Sequence, residues 1–128
     1  MKVRSIESVP TQEVDMPGAT GCQVQWLIGE KDGAPNFAMR RFMVAPGGHT
    51  PRHHHPYEHE VFVLSGHGEV IENDAPHPIG PGDVILVSPD EVHQFRNTGA
   101  EPMQFLCLIP NSAAGQNVTV VPECGIEN

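Results

Sequence analysis

Long hydrophobic runs are missing from this chain of 128 residues. No apolar stretch approaches the roughly 20 residues a membrane-spanning helix requires, and the opening MKVRSIESVP lacks the apolar region of a secretory signal. A soluble cytoplasmic protein is therefore expected. Positive charge is scarce too: 7 Lys and Arg stand against 16 Asp and Glu, for a formal charge of −9. That balance argues against binding phosphate backbones or anionic membrane surfaces, so neither nucleic acid nor a membrane is an expected partner. The three cysteines, Cys22, Cys107 and Cys124, are odd in number and show no C-x-x-C spacing. They suggest neither a disulfide framework nor a thiolate zinc site, and reduced thiols follow. Convincing helical periodicity between capping signals is absent as well.

What is present is punctuation. Thirteen Gly and 13 Pro are spread along the chain without forming repeats, as many short strands joined by tight turns demand. Strands are predicted over 22–28, 37–44, 61–64, 84–87, 92–96 and 103–109, following an N-terminal arm (1–18) with one or two edge strands. Residues 65–68 read as a hairpin turn with 69–72 as its return strand, and 111–128 as a loose tail with a pairing segment at 118–121. The barrel or sandwich core then spans about 22–110 of a single domain, and the fold class is all-β. Residues 61–64 are apolar on both faces, so Phe62 and Leu64 need a covering surface.

The chain is organised around PGGHTPRHHHPYEHEVFVLSGHG, residues 46–68. In an extended segment His53, His55 and His59 share one parity and point to one side. Neutral imidazole is the commonest protein ligand for transition metals, and His-x-His on a strand reaches one ion without helical geometry. His93, on a later short strand, is the fourth candidate. His54 has the opposite parity and is read as solvent-facing. His49, His67 and His77 are read as surface residues, with His49 near the barrel mouth. Tyr57 shares the ligands' parity but sits beside Pro56 in a turn and receives no role.

These residues resemble the cupin family, whose motifs read G-x5-H-x-H-x3-E-x6-G and G-x5-P-x-G-x2-H-x3-N. Gly47, His53, His55 and Gly66 fall in register with the first, and Gly82, His93 and Asn97 with the second. His59 stands at the family's usual glutamate, while Ser88 and Asp90 stand at its Pro and Gly. The four-histidine set, with APNFAMRRF, HHHPYEHEVFVLSG and FLCLIP, is similar to the small single-domain manganese cupins. The resemblance implies a jelly-roll barrel (double-stranded β-helix), one metal per chain on His53, His55, His59 and His93, and a homodimer. It also implies a pocket that takes in Arg40, Phe42, Phe105 and Cys107. From the residues alone, Phe105 and Cys107 fit equally well as a core aromatic and a buried inert thiol, and Arg40 as a surface residue.

Mn2+ is the first expectation for the ion, with Fe2+, Ni2+, Cu2+ or Zn2+ the alternatives, because ligand affinity alone does not favour manganese. Octahedral coordination by four imidazoles leaves two open positions, as a catalytic site needs. No Ser-His-acid arrangement is legible, and Glu58 and Glu60 have the wrong parity for the cavity. The expected function is a metal-dependent oxidoreductase, of dioxygenase or peroxide-dependent type, acting on a small organic molecule. A non-catalytic small-ligand-binding module and a Lewis-acid isomerase are the alternatives.

Overall fold

The computed structural model describes residues 1–111 and the backbone of a short strand at 119–120. Cys124 and nearly all of the tail expected over 111–128 lie outside the described residues, as do the ends of the 118–121 segment. Its middle, Thr119–Val120, is a strand that pairs with His54 and His53.

The elements are β1 (Gln12–Glu13), β2 (Thr20–Ile28), β3 (Phe37–His49), β4 (His53–His54), β5 (His59–Ser65), β6 (Gly68–Glu72), β7 (Ala75–Ile79), β8 (Val84–Val87), β9 (His93–Arg96), β10 (Met103–Pro110) and β11 (Thr119–Val120). Two 3-10 turns, Ile6–Ser8 and Glu30–Asp32, complete the described residues, which contain no α-helix. Neighbouring strands are antiparallel throughout. One wall runs β1, β2, β3, β10, β5, β8. The long β3 leaves this wall at its far end, where His49 pairs with Arg96 of β9. β9 also pairs with β4 through His53 and His93, and with β6, which pairs with β7. The sheet curls into a jelly-roll barrel around a single core.

Strict alternation selects the inner face. Along β10, Met103, Phe105, Cys107 and Ile109 are buried, and along β5 so are His59, Val61 and Val63. Register brings Arg40, Cys107 and Val61 side by side, with Phe42, Phe105 and Val63 in the next layer. Burying each of these apolar side chains contributes about 1.5–3 kcal/mol. The stack of Phe105 on Phe42 and Phe95, with ring centroids 5.4 and 4.6 Å apart, fills the barrel beneath the histidines.

Two expectations change. Residues 65–68 are not a hairpin: β5 pairs with β10 and β8, whereas β6 pairs with β7 and β9. The chain crosses from one wall to the other here. Gly66, at φ +81°, makes the crossing by passing against the Pro102 backbone, where any side chain would collide. The true hairpin joins β6 to β7 over Asn73 and Asp74, with Asn73 at φ 53°. β3 also does not stop at Val44. It continues through Pro46 and Gly47 to His49, because Gly47 at φ 78° supports the register shift against β2 between Thr20 and Cys22. The N-terminal arm pairs within the chain. β1 lies along β2, and Gln25 Nε2 donates to the carbonyls of Ile6 and Val9 at 3.0 Å each.

Asn97, at the last position of the second motif, is buried and structural. Its Nδ2 donates to the carbonyls of Val44 and Glu101, both at 2.8 Å, and its Oδ1 accepts from Gly99 N at 2.9 Å. Together these bonds fix the turn between β9 and β10.

Candidate metal centre

His53 comes from β4, His59 from the first position of β5, His93 from the first position of β9, and His55 from the link between β4 and β5. The expected continuous extended run is therefore broken at Pro56 and Tyr57, yet the shared parity survives the break. One nitrogen from each of the four rings lies within 4.8 Å of all the others. His55, His59 and His93 are buried and His53 is half-buried.

The ring nitrogens meet in pairs, His53 Nε2 with His93 Nε2 at 3.0 Å and His55 Nε2 with His59 Nε2 at 2.8 Å. Two imidazoles held at right angles about 2.1 Å from one ion would stand about 3 Å apart, so the spacing suits a shared ion. The outer nitrogens orient the rings. His55 Nδ1–H donates to the Tyr57 carbonyl at 2.7 Å, and His93 Nδ1–H to the Glu91 carbonyl at 2.8 Å. A carbonyl only accepts, so in both neutral rings the lone pair sits on Nε2 and faces the cluster. His59 Nδ1 meets Cys107 Sγ at 3.3 Å. His53 Nδ1 is buried with no hydrogen-bond partner.

Burial also sets the charge state. Desolvation first, then the neighbouring imidazoles, lowers His53 to about 3. Desolvation lowers His93 to about 4 against the opposing bond to the Glu91 carbonyl. His55 and His59 are pushed down chiefly by the same desolvation, with Arg40 adding to the effect. All four are neutral at neutral pH, as ligands must be. The donor set fits a divalent ion with a preference for imidazole.

The pocket residues expected from the resemblance divide into two layers. Arg40 and Cys107 reach the histidines: Arg40 Nη2 donates to Cys107 Sγ at 3.2 Å. Burial pushes the Cys107 thiol up, opposed by Arg40. Phe42 and Phe105 lie one layer deeper, with the Arg40 guanidinium 4.8 Å from the Phe42 ring centre. Glu58 and Glu60 are exposed, as their parity requires. His67 and His77 are exposed, whereas His49 is half-buried with its Nδ1 3.3 Å from Gln94 Nε2. His54 is half-buried rather than solvent-facing, on the strand paired with β11.

Sequence reasoning missed Tyr57. Its ring stacks on His55 at 3.9 Å and 9° and meets His59 edge-on at 5.8 Å, closing one side of the cluster. The signal was its parity, hidden by the turn at Pro56.

Comparison with known proteins agrees with this architecture. The solved structure of the polyketide cyclase RemF from Streptomyces resistomycificus superposes with a TM-score of 0.88, is 31% identical, and matches over 97% of this chain and 87% of RemF. An oxalate-binding protein from Thermotoga maritima is 32% identical over 112 residues, 85% of this chain and 93% of the relative. Protein SchB of Streptomyces halstedii is 43% identical over 68 residues, 52% of this chain, and the match spans 49% of SchB's length. No helix among the described residues is long and apolar enough to cross a membrane. The sequence profile of the cupin domain matches residues 40–109, the stretch that carries all four histidines and the strands that converge them, and the chain belongs to the cupin family.

Proposed function

We propose that this protein is a metal-dependent cyclase of small polycarbonyl molecules, with the ion held by His53, His55, His59 and His93. The observation that carries the reading is the convergence of four neutral imidazoles in a barrel wall whose other lining is aromatic and cationic, without a described carboxylate acting on them. The extended match to the polyketide cyclase RemF supports it. A bound divalent ion would supply Lewis-acid polarisation of carbonyl oxygens. Manganese is the first candidate, and iron, nickel, copper or zinc the others.

The chain's own residues bind and shield. Phe42, half-buried and backed by the buried rings of Phe105 and Phe95, would offer the apolar surface against which an unsaturated chain folds. Tyr57 closes the side next to His55. Keeping water away favours ring closure over hydrolysis. In the reaction an enol carbon bonds to a carbonyl carbon of the same molecule, and loss of one water then aromatises the ring.

Oxidation of such a molecule is the second reading, favoured by four neutral imidazole ligands that leave the full charge on the ion. A homodimer is also proposed, because Phe62, Leu64, Val84 and Leu86 form an exposed apolar patch across β5 and β8.

The test is incubation of manganese-loaded and zinc-loaded protein with a linear poly-β-ketone, in air and without oxygen. Dehydrated aromatic product under all four conditions supports the cyclase. Product that requires oxygen or peroxide and carries added oxygen moves the assignment to the oxidoreductase.

A further inference from the structure

Tyr57 bears on the candidate ligand His55 twice. Its carbonyl accepts from His55 Nδ1–H at 2.7 Å, and its ring lies flat on the His55 ring, with centroids 3.9 Å apart and planes 9° from parallel. A hydrogen bond in the plane of an imidazole sets the tautomer and the direction of the ring but leaves the tilt of its plane free. A second ring lying face-on removes that freedom. The same phenol meets His59 edge-on at 5.8 Å, so one side chain touches two of the four histidines. It is held in turn by packing against the hydrophobic core. The other two histidines lack such a partner among the described residues. His93 has a carbonyl bond, to Glu91, but only histidine rings about it, and the buried Nδ1 of His53 has no hydrogen-bond partner.

The geometry of the stack indicates what it favours. Two neutral, electron-rich rings prefer an offset or edge-on contact, with centroids about 4.5–7 Å apart. A closer, near-parallel pair is favoured when one ring is electron-poor, because the negative face of a phenol attracts positive charge. An imidazole that gives its lone pair to a divalent ion becomes such a ring. The pair is therefore stronger with the ion bound than without it, and that difference adds to the affinity of the site for the ion.

We infer that Tyr57 is a positioning residue of the metal centre, and that its ring, stacked on His55, raises the affinity for the ion. This rests on the four-histidine reading and not on the identity of the reaction.

The experiment is competition between zinc-loaded protein and a chelator, in the parent, Y57F, Y57L and protein carrying pentafluorophenylalanine at position 57. Y57F keeps the ring face and is expected to hold zinc as the parent does. Y57L fills much of the same space without a π face and is expected to bind about tenfold more weakly. Pentafluorophenylalanine keeps the shape of phenylalanine but withdraws charge from its face, and it is expected to bind more weakly than Y57F. In zinc-loaded protein the ring protons of His55 should resonate upfield in the parent and Y57F, and not in Y57L. Y57L that holds zinc as tightly as the parent, Y57F as weak as Y57L, or equal affinity in the two phenylalanine-shaped variants overturns the inference. If Y57L does not fold, Y57F and the pentafluoro variant decide it. A parent that takes up no zinc contradicts the four-histidine centre and the inference together, whereas a parent that binds and variants that match it contradict the role of Tyr57 alone. No turnover is measured, so the cyclase reading is tested separately.

Discussion

Cys107 Sγ lies 3.3 Å from His59 Nδ1 and 3.2 Å from Arg40 Nη2, so a single sulfur meets an imidazole and a guanidinium on two different strands. The contact fixes the His59 ring with Nε2 toward the other histidines. Outer partners of this kind are worth roughly 10–100-fold in metal affinity. Cys107→Ala is expected to weaken metal binding about tenfold while leaving the circular dichroism spectrum unchanged, and Cys107→Ser to recover part of the loss. Unchanged affinity in the alanine variant, read by competition with a chelator, would show that the sulfur only fills space.

Acid is expected to destabilise the metal-free protein over a defined window. The native histidines are held below the ordinary value of 6.5, His53 at about 3 and His93 at about 4. The unfolded chain therefore binds protons that the native chain does not. The contribution is fully present above pH 6.5 and is lost progressively as pH falls from there toward those native values. Each such histidine adds a slope of about 1.4 kcal/mol per pH unit. Urea midpoints measured from pH 8 to pH 4 should stay level above 7 and fall steeply below 6. A flat profile across pH 6 to 5 would mean that the histidines are protonated in the native state.

The histidine alternation was legible because parity survives an irregular segment: His53, His55 and His59 face one side even though β4 ends at His54 and β5 begins at His59. The Asn97 turn was legible as motif, though its role as a buried clamp on Val44 and Glu101 needed coordinates. The partner of β6 was not legible. A glycine turn after a strand reads as a hairpin, and only packing against Pro102 shows that Gly66 carries the chain to the opposite wall. Cross-strand neighbours were hidden for the same reason. That Cys107 meets His59 depends on the β10–β5 register, which no local pattern encodes.

Asp90 occupies the family's glycine position with φ 65°, and its N–H donates to the His55 carbonyl at 2.7 Å. The left-handed conformation is strained for a side chain, least so for Asp and Asn. Asp90→Gly is expected to be stabilising by up to about 1 kcal/mol, and Asp90→Val destabilising by more than that. Denaturant midpoints check both. A glycine variant clearly less stable than the parent would mean that the aspartate side chain itself holds the turn.

The apolar patch of Phe62, Leu64, Val84 and Leu86 is 39–75% exposed in the single chain. Light scattering at micromolar concentration should report a dimer, and Val84→Glu with Leu86→Glu a folded monomer. A monomeric parent would remove the proposed interface.

The metal itself decides the central claim. Elemental analysis of protein purified without a histidine tag should find one divalent ion per chain, and a His59→Ala, His93→Ala double variant should lose it. Protein without stoichiometric metal, or a double variant that retains it in full, would contradict the four-histidine centre on which the proposed function stands.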